Sequence, residues 1–187
     1  MNRRYVLSMA AAACVAAFSP WSPIRAHTPY RQWEVYRRKH LLIGCHRDDP
    51  ASYAISKGIV ASLAVRLPDA RSRVARGPTA GRLASLIATG QMDLAVLQPS
   101  VASDIRRGAG IYKAWGPVSL THLLSIGEHQ LVAQADFPNH HAWMVVQALQ
   151  ERRNKDPRNP SDLPEHPGAR DFNEGLPMPH APSHTKG

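Results

Sequence analysis

The chain predicts an α/β domain, a mostly parallel open sheet with helices on both faces. Two observations carry this expectation. Between Leu41 and Ile105, short apolar runs alternate with helical stripes in the order strand, helix, strand, helix, strand. Such alternation implies parallel pairing through right-handed crossovers. Each of these strands is also followed directly by a helix-opening turn. The three turns therefore fall on one edge of the sheet, where open α/β sheets bind ligands.

The first strand is read at Leu41–Cys45, an apolar run flanked by charge. Asp49-Pro50 then opens a helix, an N-cap acid followed by proline at the first helical position. Ile55, Ile59 and Leu63, with Val60 beside them, form its core stripe. The second strand is read at Ser72–Arg76. The turn Gly77-Pro78-Thr79 leads into a helix with the stripe Leu83, Leu86 and Ile87, and Gly90 ends it in the left-handed conformation. The third strand, Met92–Leu97, runs into Gln98-Pro99-Ser100, where a third helix starts. Gly108 and Gly110 break that helix, and Ile111–Pro117 reads as loop. Val118–Leu124 is apolar but of no assignable state. Glu128–Ala133 reads as a strand, and Pro138 opens a helix reaching about Arg153, with the stripe Ala142, Val145, Val146 and Leu149. Arg152-Arg153 suits its negative end.

The domain is bounded on both sides. Residues 1–26 read as an export signal: Arg3-Arg4, a short alanine-rich apolar run to Phe18, and a small residue, Ala26, for cleavage before His27. The Asn2–Leu7 stretch has the twin-arginine pattern, and an ordinary secretory leader is the other reading. Either route places the mature chain outside the cytoplasm, in the periplasm. The apolar run is too short to span a bilayer, and no transmembrane span is expected in the mature chain. Residues 27–40 are a basic, aromatic lead-in with Trp33 and Tyr36. Residues 41–153 form the domain. Residues 154–187 carry prolines at 157, 160, 164, 167, 177, 179 and 182 and few apolar side chains. That composition predicts an extended tail, since little burial offsets the entropy of ordering it.

The 187 residues carry 23 Lys and Arg against 14 Asp and Glu, a formal charge of +9. Part of that charge, Arg3, Arg4 and Arg25, leaves with a cleaved leader. The remaining arginines are scattered, the aromatic fraction is 6%, and no nucleic-acid motif is present, so nucleic acid is not an expected partner. A basic surface of this kind suits an anionic solute or an acidic protein partner. Cys14 lies in the leader, which leaves Cys45 as the one mature cysteine and excludes an internal disulfide.

Candidate ligand- or partner-binding residues come from the turns: Cys45, His46, Arg47, Ser52, Tyr53, Thr79, Gln98 and Ser100. Helix N-termini present unpaired N–H groups and a positive dipole end, so anions sit there readily. Arg47 is suited to two-pronged pairing with a carboxylate. Ser52, Thr79, Gln98 and Ser100 offer further hydrogen bonds. The plainer reading is that Asp49 and Thr79 merely cap their own helices and that Tyr53 and Cys45 are packing residues. Cys45-His46 with Asp48, His140-His141, and His166, His180 and His184 lack the spacing of a zinc box. Adjacent Cys and His within one turn rarely form a nucleophile–base pair. Neither metal, cofactor nor catalysis is expected.

The order of these pieces resembles the first lobe of a TAXI-type periplasmic solute-binding protein, the receptor of TRAP transporters. The likeness rests on Ile43-Gly44 through Ser52-Tyr53 to Leu63, on Gly77-Pro78-Thr79 before Leu83, and on Thr89–Gln98, which is similar to a "small residue, Gly, acidic, Asp-Leu-Ala, then Gln" signature. Leu131–Ala133 through Asp136-Phe137-Pro138 into the Val145–Leu149 helix resembles the family's return strand and late helix. His166-Pro167-Gly168-Ala169 resembles a C-terminal segment. The family's first-turn glycines are replaced here by Cys45–Asp49, and there is no room for a second lobe between Ser100 and Leu131. The resemblance implies a single lobe of the type 2 periplasmic-binding-protein fold. The expected function is that of a non-catalytic accessory or interaction subunit working with another periplasmic protein. The alternative is a binding protein for a small anionic, carboxylate-type solute feeding a TRAP-type transporter.

Overall fold

The computed structural model describes residues 40–153 and 161–180. The stretch expected to be an export signal, the expected lead-in up to residue 39, residues 154–160 and residues 181–187 lie outside the described residues. The observed elements are β1 (Leu42–His46), α1 (Pro50–Arg66), β2 (Arg73–Gly77), α2 (Ala80–Ala88), β3 (Leu94–Leu97), α3 (Pro99–Arg107), β4 (Leu120–Ile126), β5 (His129–Gln134), α4 (Asn139–Leu149) and α5 (Pro167–Asn173), with short 3-10 turns at Pro68–Ala70, Gly110–Trp115 and Gln150–Arg152.

The five strands form one sheet in the order β2-β1-β3-β5-β4. β1 is central to a parallel trio, pairing Gly44 with Ala75 of β2 and with Ala95 of β3. β5 is antiparallel to both β3 and β4. The sheet is thus mixed: β5 runs against the other four strands, and half of the pairings are antiparallel. The expectation of a mostly parallel sheet holds for strand directions and fails for pairing at the β5 side. The cause is local. β4 and β5 are joined by Gly127-Glu128, with Ile126 paired to His129, and a two-residue connection permits only an antiparallel hairpin. Gly127 takes φ 59°, which suits a first central position where glycine is favoured.

Helices cover both faces. Ile43, Leu94, Val96, Leu131 and Ala133 pack under α1, α4 and α5 through Ile59, Leu63, Val145, Val146, Leu149 and Ala169. Ala95, Leu97, Leu120 and Val132 pack under α2, α3 and the turn after α3 through Leu83, Ile87, Ala102, Ile105 and Tyr112. Alternating strand residues therefore feed two cores, and both cores are needed because β1 and β3 are buried on both faces. Gly44 allows a close approach between β1 and its neighbours. A methyl group there would lie 2.7 Å from Leu83 Cδ1 and 3.1 Å from the Leu94 carbonyl oxygen.

The helix signals act as read. Asp49 caps α1 by accepting from Ser52 N at 3.1 Å. Thr79 caps α2 by accepting from Arg82 N at 3.1 Å. Gly90 and Gly108 close α2 and α3 in the left-handed region, at φ 63° and 61°. Residues 111–117, read as loop, contain a 3-10 turn whose Tyr112 is buried. The unassigned Val118–Leu124 stretch is β4.

The described part of the C-terminal segment differs from an extended tail. Residues 163–166 run beside β4: His122 N donates to the Pro164 carbonyl and His166 N to the His122 carbonyl, each at 2.9 Å, forming a parallel bridge to Glu165. α5 follows, with Pro167 at its first position. Leu163, His166, Gly168 and Ala169 are buried. The prolines deceive here because Pro164 contributes only a carbonyl and Pro167 occupies a position that needs no N–H donor.

Candidate functional site

The carboxyl ends of β1, β2 and β3 lie on one edge, joined there by the start of β5 and the β4–β5 hairpin. The candidate residues divide by depth. Arg47, Thr79, Gln98 and Ser100 are exposed along this edge, Tyr53 is half-buried, and Cys45, His46 and Ser52 lie beneath the surface.

The exposed set is positioned by backbone. Arg47 N donates to the Gly77 carbonyl at 3.0 Å, continuing the parallel pairing of β1 with β2, so the Arg47 side chain starts from a fixed point. Thr79 is occupied with its capping bond. Gln98 is the N-cap of α3, yet its side chain makes no capping hydrogen bond. Of the three helix starts here, α3 is the one whose first turn lacks a side-chain cap, and a free first turn is an anion-attracting feature. Ser100 stands in that turn.

The Tyr53 ring serves as a platform for cations. The Arg76 guanidinium carbon sits 4.7 Å and the Lys57 ammonium 5.4 Å from its centroid, both within cation–π range. Arg76, on the edge strand, is thereby held toward the turn region.

The buried set behaves differently. Cys45 is wholly excluded from solvent. Burial pushes its thiol above the usual range, against the opposing pull of the Ser56 hydroxyl and the Arg76 charge. A thiol held protonated is a poor nucleophile. Ser52 spends its hydroxyl on the Asp49 carbonyl at 2.7 Å, which reinforces the start of α1. Asp49 is itself buried. Burial alone would raise its carboxyl. The His129 hydrogen bond, the Ser52 N–H and the charges of His129 and His46 outweigh that and bring it below its ordinary value. The ionised carboxylate only accepts, so His129 Nε2, 2.7 Å from Asp49 Oδ2, is the donor.

His46 occupies the row beyond Gly44. Since Gly44 pairs with Ala95, the register places His46 abreast of Leu97, and Leu97 pairs with Gln130. His46, Leu97 and Gln130 thus form a row across β1, β3 and β5 on the α2/α3 face, at the level where α3 begins. Both flanking residues are buried, at 6% and 1% exposure, yet His46 Nδ1 and both amide atoms of Gln130 make no hydrogen bond to any described residue. Unsatisfied buried polar groups are uncommon and costly, so this row carries unspent hydrogen-bonding capacity beneath the edge.

Asp49 as a link to the hairpin, His129 and Gln130 were not recognisable as site residues from sequence. Their role depends on β5 pairing with β3, a contact between distant segments that no local pattern announces. Among the described residues no group of three or more His, Cys, Asp or Glu is placed to hold a metal. His140 and His141 stack on each other at 4.1 Å. His166 is engaged by the Phe137 carbonyl and Gly168 N, at 2.9 and 3.1 Å. Among the described residues, no helix is long and apolar enough to cross a membrane. No family model matches the chain, and no curated protein is significantly similar to it in sequence.

Proposed function

We propose that this chain is an exported, non-catalytic single lobe of the solute-binding-protein type that acts as an interaction subunit of a periplasmic complex. The observation that carries the proposal is the two-residue β4–β5 connection. In the resemblance to TAXI receptors, the Leu131–Ala133 stretch corresponds to the strand that returns from the second lobe. Here that stretch is β5, and it follows β4 after Gly127-Glu128 alone. A two-residue turn leaves no space for a lobe between β4 and β5. The strand-end edge then faces outward with Arg47, Gln98 and Ser100 exposed.

Energetics favour a protein on that edge. A small-molecule site normally buries most of its ligand, which one open edge cannot do. A protein partner supplies the opposite wall and the roughly 1,200–2,000 Å² of burial typical of a stable complex. The buried thiol of Cys45 supports a non-catalytic role, since a raised pKa withholds the thiolate.

The second reading is a receptor lobe for a small carboxylate-type solute. The uncapped start of α3 and the unsatisfied His46 and Gln130 below it favour that reading. One experiment separates the two: co-purification of wild type and Arg47→Glu from the periplasm, with calorimetric titration of small carboxylates on the purified protein. The interaction reading expects a partner retained by wild type and lost by the variant, with an unchanged melting temperature. Tight carboxylate binding by the monomer, with no partner retained, overturns it and restores the solute binder.

A further inference from the structure

A concavity lies at the opposite edge of the sheet, where β4 begins, β5 ends and α2 terminates. Its volume is about 540 Å³, within the range of small-molecule sites. Its chemistry is one-sided. Asp136, an exposed acidic residue, is part of its lining. Gln134 donates its amide N–H to the Ile87 carbonyl, which fixes the orientation of the amide and leaves its oxygen as the available group. Ser119 adds a hydroxyl. Ala88 brings the C-terminal, negative end of α2 into the wall. Trp115 supplies an aromatic surface 37% exposed. Its ring rests on α2, since a methyl group on Gly81 would lie 3.3 Å from Trp115 Cη2, so the indole is fixed in place. Among the described residues that line the cavity, none is Lys, Arg or His, in a chain with 23 Lys and Arg.

We propose that this groove is a binding site for a small organic cation bearing a guanidinium or primary ammonium group. A carboxylate, a fixed amide oxygen and a hydroxyl match a donor-only head group. The indole face attracts the same charge through its quadrupole. Positive charges elsewhere on the chain that lie farther off than the Debye length, about 8 Å at physiological salt and somewhat longer in dilute buffer, are largely screened from the groove. The groove lies on the opposite edge from the proposed interface, so this inference stands apart from that reading.

The test is calorimetric titration of the purified chain with butylguanidinium and with butylurea, its neutral near-isostere, in 50 mM salt. The indole N–H resonances are followed in parallel. We expect butylguanidinium to bind in the millimolar range or tighter, to shift the Trp115 indole resonance, and to bind at least several-fold more tightly than butylurea. Asp136→Asn should weaken binding by about tenfold, the scale of a charge-assisted hydrogen bond. Trp115→Leu should weaken it by about threefold or more. Asp69→Asn, on the 3-10 turn before β2, should leave it unchanged. Both site variants alter exposed groups, and thermal melts verify that they fold. Equal affinity for the two probes, an unaltered Asp136→Asn titration, or no binding by 10 mM (about 3 kcal/mol of affinity) would overturn the proposal. Tighter binding of the amidated peptide Gly-Arg-Gly than of butylguanidinium would overturn the small-ligand assignment in favour of a protein's basic side chain.

Discussion

Asp49 ties the first helix to the far hairpin: one carboxylate oxygen accepts from Ser52 N at 3.1 Å and the other from His129 Nε2 at 2.7 Å. The cap of α1 and the start of β5 are thereby one unit, although 80 residues separate the partners. Asp49→Ala removes the cap and strands a buried imidazole, so it should destabilise the fold by about 2–4 kcal/mol. Asp49→Asn keeps an acceptor for Ser52 N and should lose less. Urea denaturation of both variants measures the difference. Equal losses would mean that the cap bond to Ser52 N contributes nothing and that the His129 contact carries the effect.

Gly168 seats α5 against the start of α4. A methyl group there would overlap the Asn139 carbonyl oxygen and lie 2.8 Å from its carbon, and backbone cannot swing aside as a side chain can. Gly168→Ala should therefore destabilise by about 1–3 kcal/mol or more. It should also speed hydrogen exchange at His122 and His166, whose N–H groups hold the 163–166 segment to β4. Unchanged exchange at those amides would show that α5 is not what seats the segment.

Stability should fall as pH drops from 7 toward 4. Burial, and then the charge of Arg153, lowers His122 from its ordinary 6.5 to about 4. His166 and His141 are also depressed, again by burial first. The unfolded chain takes up these protons near pH 6.5 and the folded chain only at lower pH, so between the two values protonation favours unfolding. For His122 the full loss is on the order of 3 kcal/mol. Asp49, depressed in the folded state, gives up its contribution only at lower pH. Urea midpoints from pH 7.5 to 4.5 should decline, and His122→Asn should flatten the decline. A flat wild-type profile would contradict the assignment.

Export is tested at the leader. Replacing Arg3 and Arg4 with lysine should abolish appearance of the mature chain, beginning near His27, in the periplasm if the twin-arginine route is used. Normal export of that variant would assign the leader to the general secretory route.

The parallel trio was legible because its signals are local. Asp49-Pro50, Thr79 and Pro99 open helices within a few residues of their strands, and Ile59, Leu63, Leu83 and Ile87 repeat at helical spacing. β4 was not legible. Thr121, His122 and Ser125 interrupt its apolar run, and its register shifts between His122 and Leu124, so neither period dominates. α5 was hidden by counting prolines without asking what each one does at its position. Sequence placed Arg47, Gln98 and Ser100 at the carboxyl ends of the parallel strands, and there they are exposed. It could not tell that Cys45 and His46 lie under that edge, because β1 is covered on both faces and its last residues continue inward. Gln130 and His129 became site residues only through the β3–β5 pairing.

The parallel bridge between His122 and Glu165 has a consequence for how the molecule meets its own copies. An open strand edge is a template on which further chains polymerise. The 163–166 segment covers the β4 edge at His122, while the β2 edge carries the exposed charges of Arg73 and Arg76. A ribosome that stops before residue 161 would release a chain with every strand of the sheet and one unguarded side. Such truncated products are expected to form fibrils or inclusion bodies, and the full-length chain to remain monodisperse. A segment made after all five strands thus closes one side of the sheet at His122.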